Sequence, residues 1–212
     1  MFLILKRLLD ITASLAGLIC LLPLFILVAV AIKLDDRGPV FFQQERIGLE
    51  GRPFLIFKFR TMIVNAEKVG AGVFVEKNDA RITKAGKFLR HTSLDELPQL
   101  INIFRGDMSL VGPRPTLSYQ VDKYDDRQRR RLKAKPGVTG WAQVNGRSAL
   151  TWPERIELDL WYIDNWSLYL DLKILVKTFR VVAERGNLYK KAVYDPISGE
   201  MKITDANNDD EG

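Results

Sequence analysis

Sulfur and imidazole chemistry are almost missing from this chain. Its 212 residues include one cysteine, Cys20, and one histidine, His91. A lone cysteine makes no intramolecular disulfide and no cysteine-based zinc site, and a lone histidine excludes the paired-histidine zinc motifs. The sequence also lacks G-x-x-x-x-G-K-[ST], G-x-G-x-x-G and D-x-D, so phosphate recognition by these common loops is excluded. Internal repeats are absent too. Acidic residues are in deficit, 26 against 32 Lys and Arg, for a formal net charge of +6. Four of the acids (Asp205, Asp209, Asp210 and Glu211) crowd the last eight residues, so the rest of the chain is more basic still. A basic body implies anionic partners: nucleic acid, phosphorylated small molecules or an acidic lipid surface. The apolar fraction of 47% is ample for a core.

Charge is wholly absent from Ile11 to Ile32. As a helix this run is roughly 33 Å long, close to the hydrocarbon thickness of a bilayer. A soluble core helix rarely stays uncharged on every face for six turns, and the run exceeds the 7–15 apolar residues usual in a signal peptide. The expectation is membrane association. Pro23, near the centre, removes a backbone hydrogen bond and bends the helix. Lys6 and Arg7 precede the run while Lys33 and Arg37 follow it, so both ends carry the positive charge that favours the cytoplasmic side. A re-entrant helix and a kinked span both remain open on these features.

Beyond Gly38-Pro39, residues 40–48 and 53–62 read as two strands joined by a Gly-containing turn. Period two places Lys58 and Arg60 on one face, as an anion grip or as an ordinary exposed strand end. Residues 64–80 read as a mobile loop. A short basic helix is expected over 81–90, then one carrying Leu94, Leu97, Leu100, Ile101 and Phe104 that stops at Gly106. Asp95 and Glu96 begin it. They complete a capping box with Ser93, or they stand at the helix mouth, where phosphate binds and Mg²⁺ takes carboxylates plus substrate oxygens. Pro98 favours a start nearer Asp95. In Gly112-Pro113-Arg114-Pro115 two prolines stiffen a turn around one guanidinium, suited to bidentate phosphate contact. Arg90, Arg114, Lys58 and Arg60 are thus candidates to surround a diphosphate. Helices are expected at 153–164 and 170–185, the second amphipathic with Lys173, Lys177 and Arg180 on its basic face. The basic run Arg127–Lys135 suggests nucleic acid or anionic lipid, but charge runs are most often solvated helix faces and no nucleic-acid motif accompanies it.

Together these features resemble the small membrane-bound phosphoglycosyl transferases of the bacterial sugar transferase family. The matching segments are Leu22-Pro23, Lys58-Phe59-Arg60-Thr61-Met62, Arg90 to Gln99, Gly112 to Pro115, Pro136 to Trp141, Asn145-Gly146-Arg147 and Asp159 to Asp171. They cover residues 1–186 in family order; Leu22 departs from the Ser-Pro found at the break in many small members. The resemblance implies an α/β, mostly α fold. It has a Pro-kinked re-entrant membrane helix over 1–37, a catalytic domain over 38–200 with a β-hairpin and interfacial amphipathic helices, and an acidic disordered tail over 201–212.

The resemblance also implies a location, the cytoplasmic face of the bacterial inner membrane, and a reaction. A UDP-sugar donates its sugar 1-phosphate to polyprenyl phosphate, with Asp95 as nucleophile and Glu96 as its partner in placing Mg²⁺ or moving a proton. Arg90, Arg114 and Arg147 join Lys58 and Arg60 as phosphate contacts. Trp141 and Gln143 either touch the uracil or pack the turn. A modified N-acetyl sugar is expected more than galactose or glucose. Membrane lipids are partners and nucleic acid is not; homo-oligomerisation stays open. Cysteines placed near residues 5 and 40 are therefore expected to be labelled only from the cytoplasmic side, and labelling of the first from outside would establish a span.

Overall fold

The computed structural model describes residues 2–69, 79–146, 150–183, 193–194 and 201–202. They are mostly helical, and their strands occur only in pairs. In chain order come α1 (Phe2–Cys20), α2 (Leu22–Asp35), β1 (Phe41–Ile47), β2 (Pro53–Phe59), α3 (Lys84–Thr92) and α4 (Gln99–Arg105). There follow β3 (Ser109–Val111), α5 (Ser118–Val121), α6 (Asp126–Arg129), β4 (Gly137–Thr139) and α7 (Trp141–Val144). Last are α8 (Trp152–Asp164), α9 (Leu168–Ala183), β5 (Val193–Tyr194) and β6 (Met201–Lys202). Residues 70–78, within the loop expected over 64–80, lie outside the described residues, as does the acidic tail from 203 onward.

The uncharged run is two helices, bent by 60° at a break around Leu21. Pro23 sits in the first turn of α2, where its missing N–H would otherwise bond to residue 19, whose carbonyl its ring displaces. Disruption stays local: Leu21 N still reaches Gly17 O, and Phe25 N reaches Leu21 O, both at 2.9 Å. Among the described residues no single helix is long and apolar enough to cross a membrane, but this bent pair has the length and composition of a broken span or a re-entrant loop.

Packing divides the chain into two compact units that interleave in sequence. One comprises Leu8–Gln44 and Leu55–Arg105. Its core joins Val28 and Ile32 of α2 to Phe59 of β2 and Leu89 of α3. Phe59 meets Phe25 edge-on at 5.1 Å and stacks on Phe41 at 5.6 Å. Asn102 of α4 acts as a surrogate strand for β2: its amide donates to Leu55 O at 2.7 Å and accepts from Phe57 N at 2.9 Å. Along α1, Asp10 and Ser14 are buried, and Gly17 leaves room for Leu100, whose Cδ1 lies 3.1 Å from where a Cβ would stand. These positions, spaced i, i+4, i+7, form one inward stripe.

The other unit comprises Met1–Arg7, Glu45–Phe54 and the described residues from Gly106 onward. Strands β3 and β4 pair in parallel, Ser109 with Gly137 and Val111 with Thr139. Close approach needs glycine here: a Cβ on Gly112 would stand 2.2 Å from Lys135 O, and one on Gly137 2.1 Å from Gly112 N. One core cluster gathers Val121, Tyr124, Trp152, Ile156 and Leu160; another gathers Val111, Tyr162, Leu170 and Ile174. The start of α1 is tied down by Lys6, whose ammonium reaches Asp171 Oδ2 at 2.5 Å and Val111 O at 3.0 Å. Tyr162 and Trp166 also donate to the Asp171 carboxylate.

The basic run is spent largely on α8. Arg127 pairs with Glu157, Arg130 with Asp164, and Arg131 with Asp159 at 2.6 Å. The last pair is buried on both sides, and Arg131 also donates to Tyr124 Oη and to Arg114 O. Burial pushes the Asp159 carboxyl above the ordinary carboxylate range, against the pull of Arg131. Arg131→Met should cost ~3–5 kcal/mol by stranding a buried charge, whereas Arg131→Met with Asp159→Leu should regain most of it. Thermal unfolding of the detergent-solubilised variants measures both. Equal losses would assign the contribution to the Tyr124 and Arg114 hydrogen bonds instead of charge balance.

Candidate active site

Lys58 and Arg60 share a face by alternation, yet they meet different partners. Lys58 Nζ donates to Glu96 Oε1 at 2.8 Å, and each side chain keeps about 20% of its surface exposed. Arg60 is buried instead. Its Nη2 donates to Asp36 O at 2.8 Å and lies 3.4 Å from Asp36 Oδ2, at the residue that ends α2. Its Nη1 is buried without a hydrogen-bond partner, at the spot where Gly38 has no side chain. Of the two strand-end cations, one therefore faces the acidic pair and the other holds the end of α2.

The acidic pair stands on a turn. Helix α3 starts with Thr83 as its cap, accepting from Gly86 N at 3.0 Å. It ends at Ser93, which takes a left-handed conformation (φ 59°) and reverses the chain into a 3₁₀ turn, Leu94–Glu96. The Ser93 side chain makes no capping bond, so the Ser93–Glu96 capping box does not form. Pro98 falls just before α4, where its missing N–H costs no helical bond. Glu96 turns to Lys58, while the Asp95 charge acts on Arg90. Burial lowers the Arg90 pKa from its ordinary value, and Asp95 and Asp79 oppose that shift. Arg90 Nε is fixed by Thr61 Oγ1 at 2.8 Å. Behind it, Arg81 is buried on Asp79 at 2.6 Å and donates to the carbonyls of Ala66 and Val69.

Arg114 belongs to the other compact unit. It is exposed between two buried prolines, so the stiff turn expected from sequence does present its guanidinium outward. Gly137 N donates to Pro113 O at 2.8 Å and Arg131 to Arg114 O at 2.6 Å, fixing the turn from both sides. A shallow cleft opens beside it, lined by Ile47, Thr116, Leu132 and Pro136 among others. Arg147 lies outside the described residues. Trp141 stacks on Trp161 at 4.9 Å beneath Lys177, which is packing within its own unit. Residues that sequence reasoning passed over are Thr61, which positions Arg90, and Asp36, which engages Arg60. Thr61 was within reach, since it follows directly on the Lys58-Phe59-Arg60 motif.

Asp95 and Glu96 are the carboxylates available for a metal. Among the described residues no group of three or more His, Cys, Asp or Glu could hold one. Mg²⁺ needs no such group, because it commonly takes one or two carboxylates and fills its octahedron with water and substrate phosphate oxygens. Two adjacent carboxylates beside phosphate-seeking cations fit that requirement.

A family model described as bacterial sugar transferase matches residues 1–185. The chain is similar to an uncharacterised sugar transferase, EpsL, of Bacillus subtilis (strain 168): 48% identity over 84% of this chain and 87% of that protein. It is 42% identical, over 87% of its length, to the undecaprenyl-phosphate galactose phosphotransferase of Salmonella typhimurium. It is 44% identical, over 87% of its length, to the UDP-glucose:undecaprenyl-phosphate glucose-1-phosphate transferase of Xanthomonas campestris pv. campestris. The matches span 42% and 40% of those two longer proteins.

Gly86 tests how Arg90 is placed. A Cβ there would stand 2.0 Å from Thr61 O, the backbone of Arg90's own hydrogen-bond partner. Gly→Ala inside a helix ordinarily stabilises, by about 1 kcal/mol. Gly86→Ala should instead destabilise by roughly 1–3 kcal/mol, because α3 must move off Thr61. A raised melting temperature would show that α3 is free to shift.

Proposed function

The chain belongs to the bacterial sugar transferase family, and on that premise we propose that it transfers a sugar 1-phosphate from a UDP-sugar to undecaprenyl phosphate, releasing UMP. The observation that carries this reading is the turn Leu94–Glu96, which holds two adjacent carboxylates with separate cations, Arg90 acting on Asp95 and Lys58 on Glu96. A phosphoryl donor needs a nucleophile in a cationic surrounding.

In this mechanism a carboxylate oxygen of Asp95 attacks the β-phosphorus of the donor. The bond from that phosphorus to the bridging oxygen breaks, and UMP leaves with the electron pair. Asp95 then carries the phosphosugar as an acyl phosphate. A phosphate oxygen of the polyprenyl acceptor attacks the same phosphorus, returning the carboxylate and giving a polyprenyl diphosphate sugar. Lys58 keeps Glu96 oriented, and Arg90 binds phosphate oxygens. Mg²⁺ held by Asp95 and Glu96 would supply neutralising charge for the diphosphate. The acceptor is confined to lipid and the donor to water, so the bent pair α1–α2 is read as a re-entrant anchor at the cytoplasmic face. This is the first membrane step of glycoconjugate assembly.

Named relatives act on galactose or glucose carriers, so the donor screen includes UDP-galactose and UDP-glucose beside the N-acetylated and deoxy sugars. Solubilised protein with Mg²⁺, undecaprenyl phosphate and the right donor should release UMP. Asp95→Asn should lower that rate by ~10³-fold or more, as loss of a covalent nucleophile does. Intact mass after mixing with donor alone should rise by one phosphosugar. Unchanged turnover in Asp95→Asn would overturn the covalent route, and release of UDP in place of UMP would overturn the reaction class.

A further inference from the structure

Gln99 and Asn102 are both buried amides of α4, and they are used very differently. Asn102 spends its amide on β2, donating to Leu55 O at 2.7 Å and accepting from Phe57 N at 2.9 Å. Gln99 keeps only 2% of its surface exposed, yet its Nε2 is buried with no hydrogen-bond partner among the described residues. A buried donor without an acceptor costs the full desolvation of that group, and native structures rarely leave one without a use. The Gln99 donor gives nothing to the fold.

The backbone around Gln99 fixes where it stands. Glu96 N bonds to Ser93 O at 3.4 Å and Leu97 N to Leu94 O at 3.2 Å, and Leu100 N bonds to Leu97 O and Ile101 N to Pro98 O, both at 3.0 Å. Such tight winding brings residues i and i+3 into line, so Glu96, Gln99 and Asn102 form one row. Both ends of the row meet β2. Lys58 Nζ donates to Glu96 Oε1 at 2.8 Å, and Asn102 bonds the backbone of Leu55 and Phe57. Gln99 lies between these contacts, one turn beyond Glu96, with its donor unspent. Lys58 and Glu96 each keep 20% of their side-chain surface, so their ion pair is open to an incoming anion.

We propose that Gln99 is a positioning residue for Glu96 in the transfer reaction. Lys58 orients Glu96 until the donor arrives, and the diphosphate then draws the ammonium to its own oxygens. Gln99 Nε2 takes the carboxylate oxygen that Lys58 gives up. Glu96 thereby keeps its orientation while one more cation reaches the phosphate. A neutral amide suits this exchange, because it waits beside Lys58 without the repulsion that a second cation would bring. The inference rests on the reading given above of Asp95 as nucleophile with Glu96 beside it.

The test uses the solubilised full chain with Mg²⁺, undecaprenyl phosphate and the donor that gives UMP. Gln99→Met keeps the length of the side chain and removes the donor. Because the Nε2 bond is unmade in the free protein, the variant should melt within about 3 °C of the parent. Its kcat should fall roughly tenfold or more, the loss of a hydrogen bond to a charged group, with KM for the donor changed by less than about twofold. Spectra of the ¹⁵N-glutamine-labelled chain, compared with Gln99→Met, identify the Gln99 side-chain amide. A UDP-sugar analogue with a methylene in place of the bridging diphosphate oxygen should shift that resonance in the parent and leave it in place in Glu96→Ala. A larger drop in melting temperature assigns Gln99 to the core, an unchanged kcat removes it from the reaction, and a shift that persists in Glu96→Ala assigns its contact to the donor itself. Each of these overturns the proposal. A parent chain that releases no UMP with any donor overturns instead the reading on which the proposal rests.

Discussion

A cation stripped of water is tolerated in a protein interior only when its donors find acceptors and its charge finds a counter-charge, and this requirement shapes much of the chain's irregular backbone. Arg131 meets it with Asp159, the Tyr124 hydroxyl and the Arg114 carbonyl, so one side chain joins α8 to the turn that carries Arg114. Arg81 meets it with Asp79 and two carbonyls, gathering the residues on either side of 70–78. Arg60 uses Asp36, at the exit of α2. Lys6 uses Asp171, so the start of α1 is bound to α9 in its own unit. The turn at Arg114, the residues around 66–69 and the exit of α2 lie outside regular helix and sheet, and each is held by one of these cations. Charge in the interior does here what a ladder of backbone bonds does in a sheet.

That division of labour separates cations buried in the fold from cations that keep accessible surface. A guanidinium with its donors occupied and no access to solvent has little left to offer a phosphate. Lys58, Arg90 and Arg114 are different. Lys58 and Glu96 each retain a fifth of their side-chain surface, Arg90 is fixed through one nitrogen by Thr61, and Arg114 is anchored by its carbonyl with the side chain outward. Fixing a cation by its backbone, or by one edge of its guanidinium, orients it without consuming its ability to bind.

Much of the secondary structure was legible because it rests on local pattern. The hairpin follows from period-two alternation, the two late helices from period 3.6, and the break near Leu21 from Pro23 in an apolar run. The β3–β4 pairing was not legible. Three-residue strands carry too few positions for a period, and their register depends on Gly112 and Gly137 approaching across 24 intervening residues. The stripe Asp10, Ser14, Gly17 on α1 was visible in principle as a helical spacing of small and polar residues, but the uniform hydrophobicity around it masks which face turns inward. At the candidate site, the sequence named candidates and did not give their pairings. Lys58 and Arg60 are equivalent by alternation, yet one meets Glu96 and the other Asp36, a difference set by where α2 and the 3₁₀ turn arrive. Period alone cannot tell which of two side chains on a strand face will be covered.

The conformation of Ser93 explains why two neighbouring carboxylates can serve different ends. Side chains adjacent in a regular helix diverge by about 100°, and a helix starting with Ser93 as its cap would have spent Glu96 on a capping bond. The left-handed residue instead stops α3, and the tighter 3₁₀ turn gives consecutive side chains about 120° of separation. Asp95 is thereby placed in the field of Arg90 and Glu96 within reach of Lys58. The two cations come from different elements, α3 and β2, so the two carboxylates are not held as one unit.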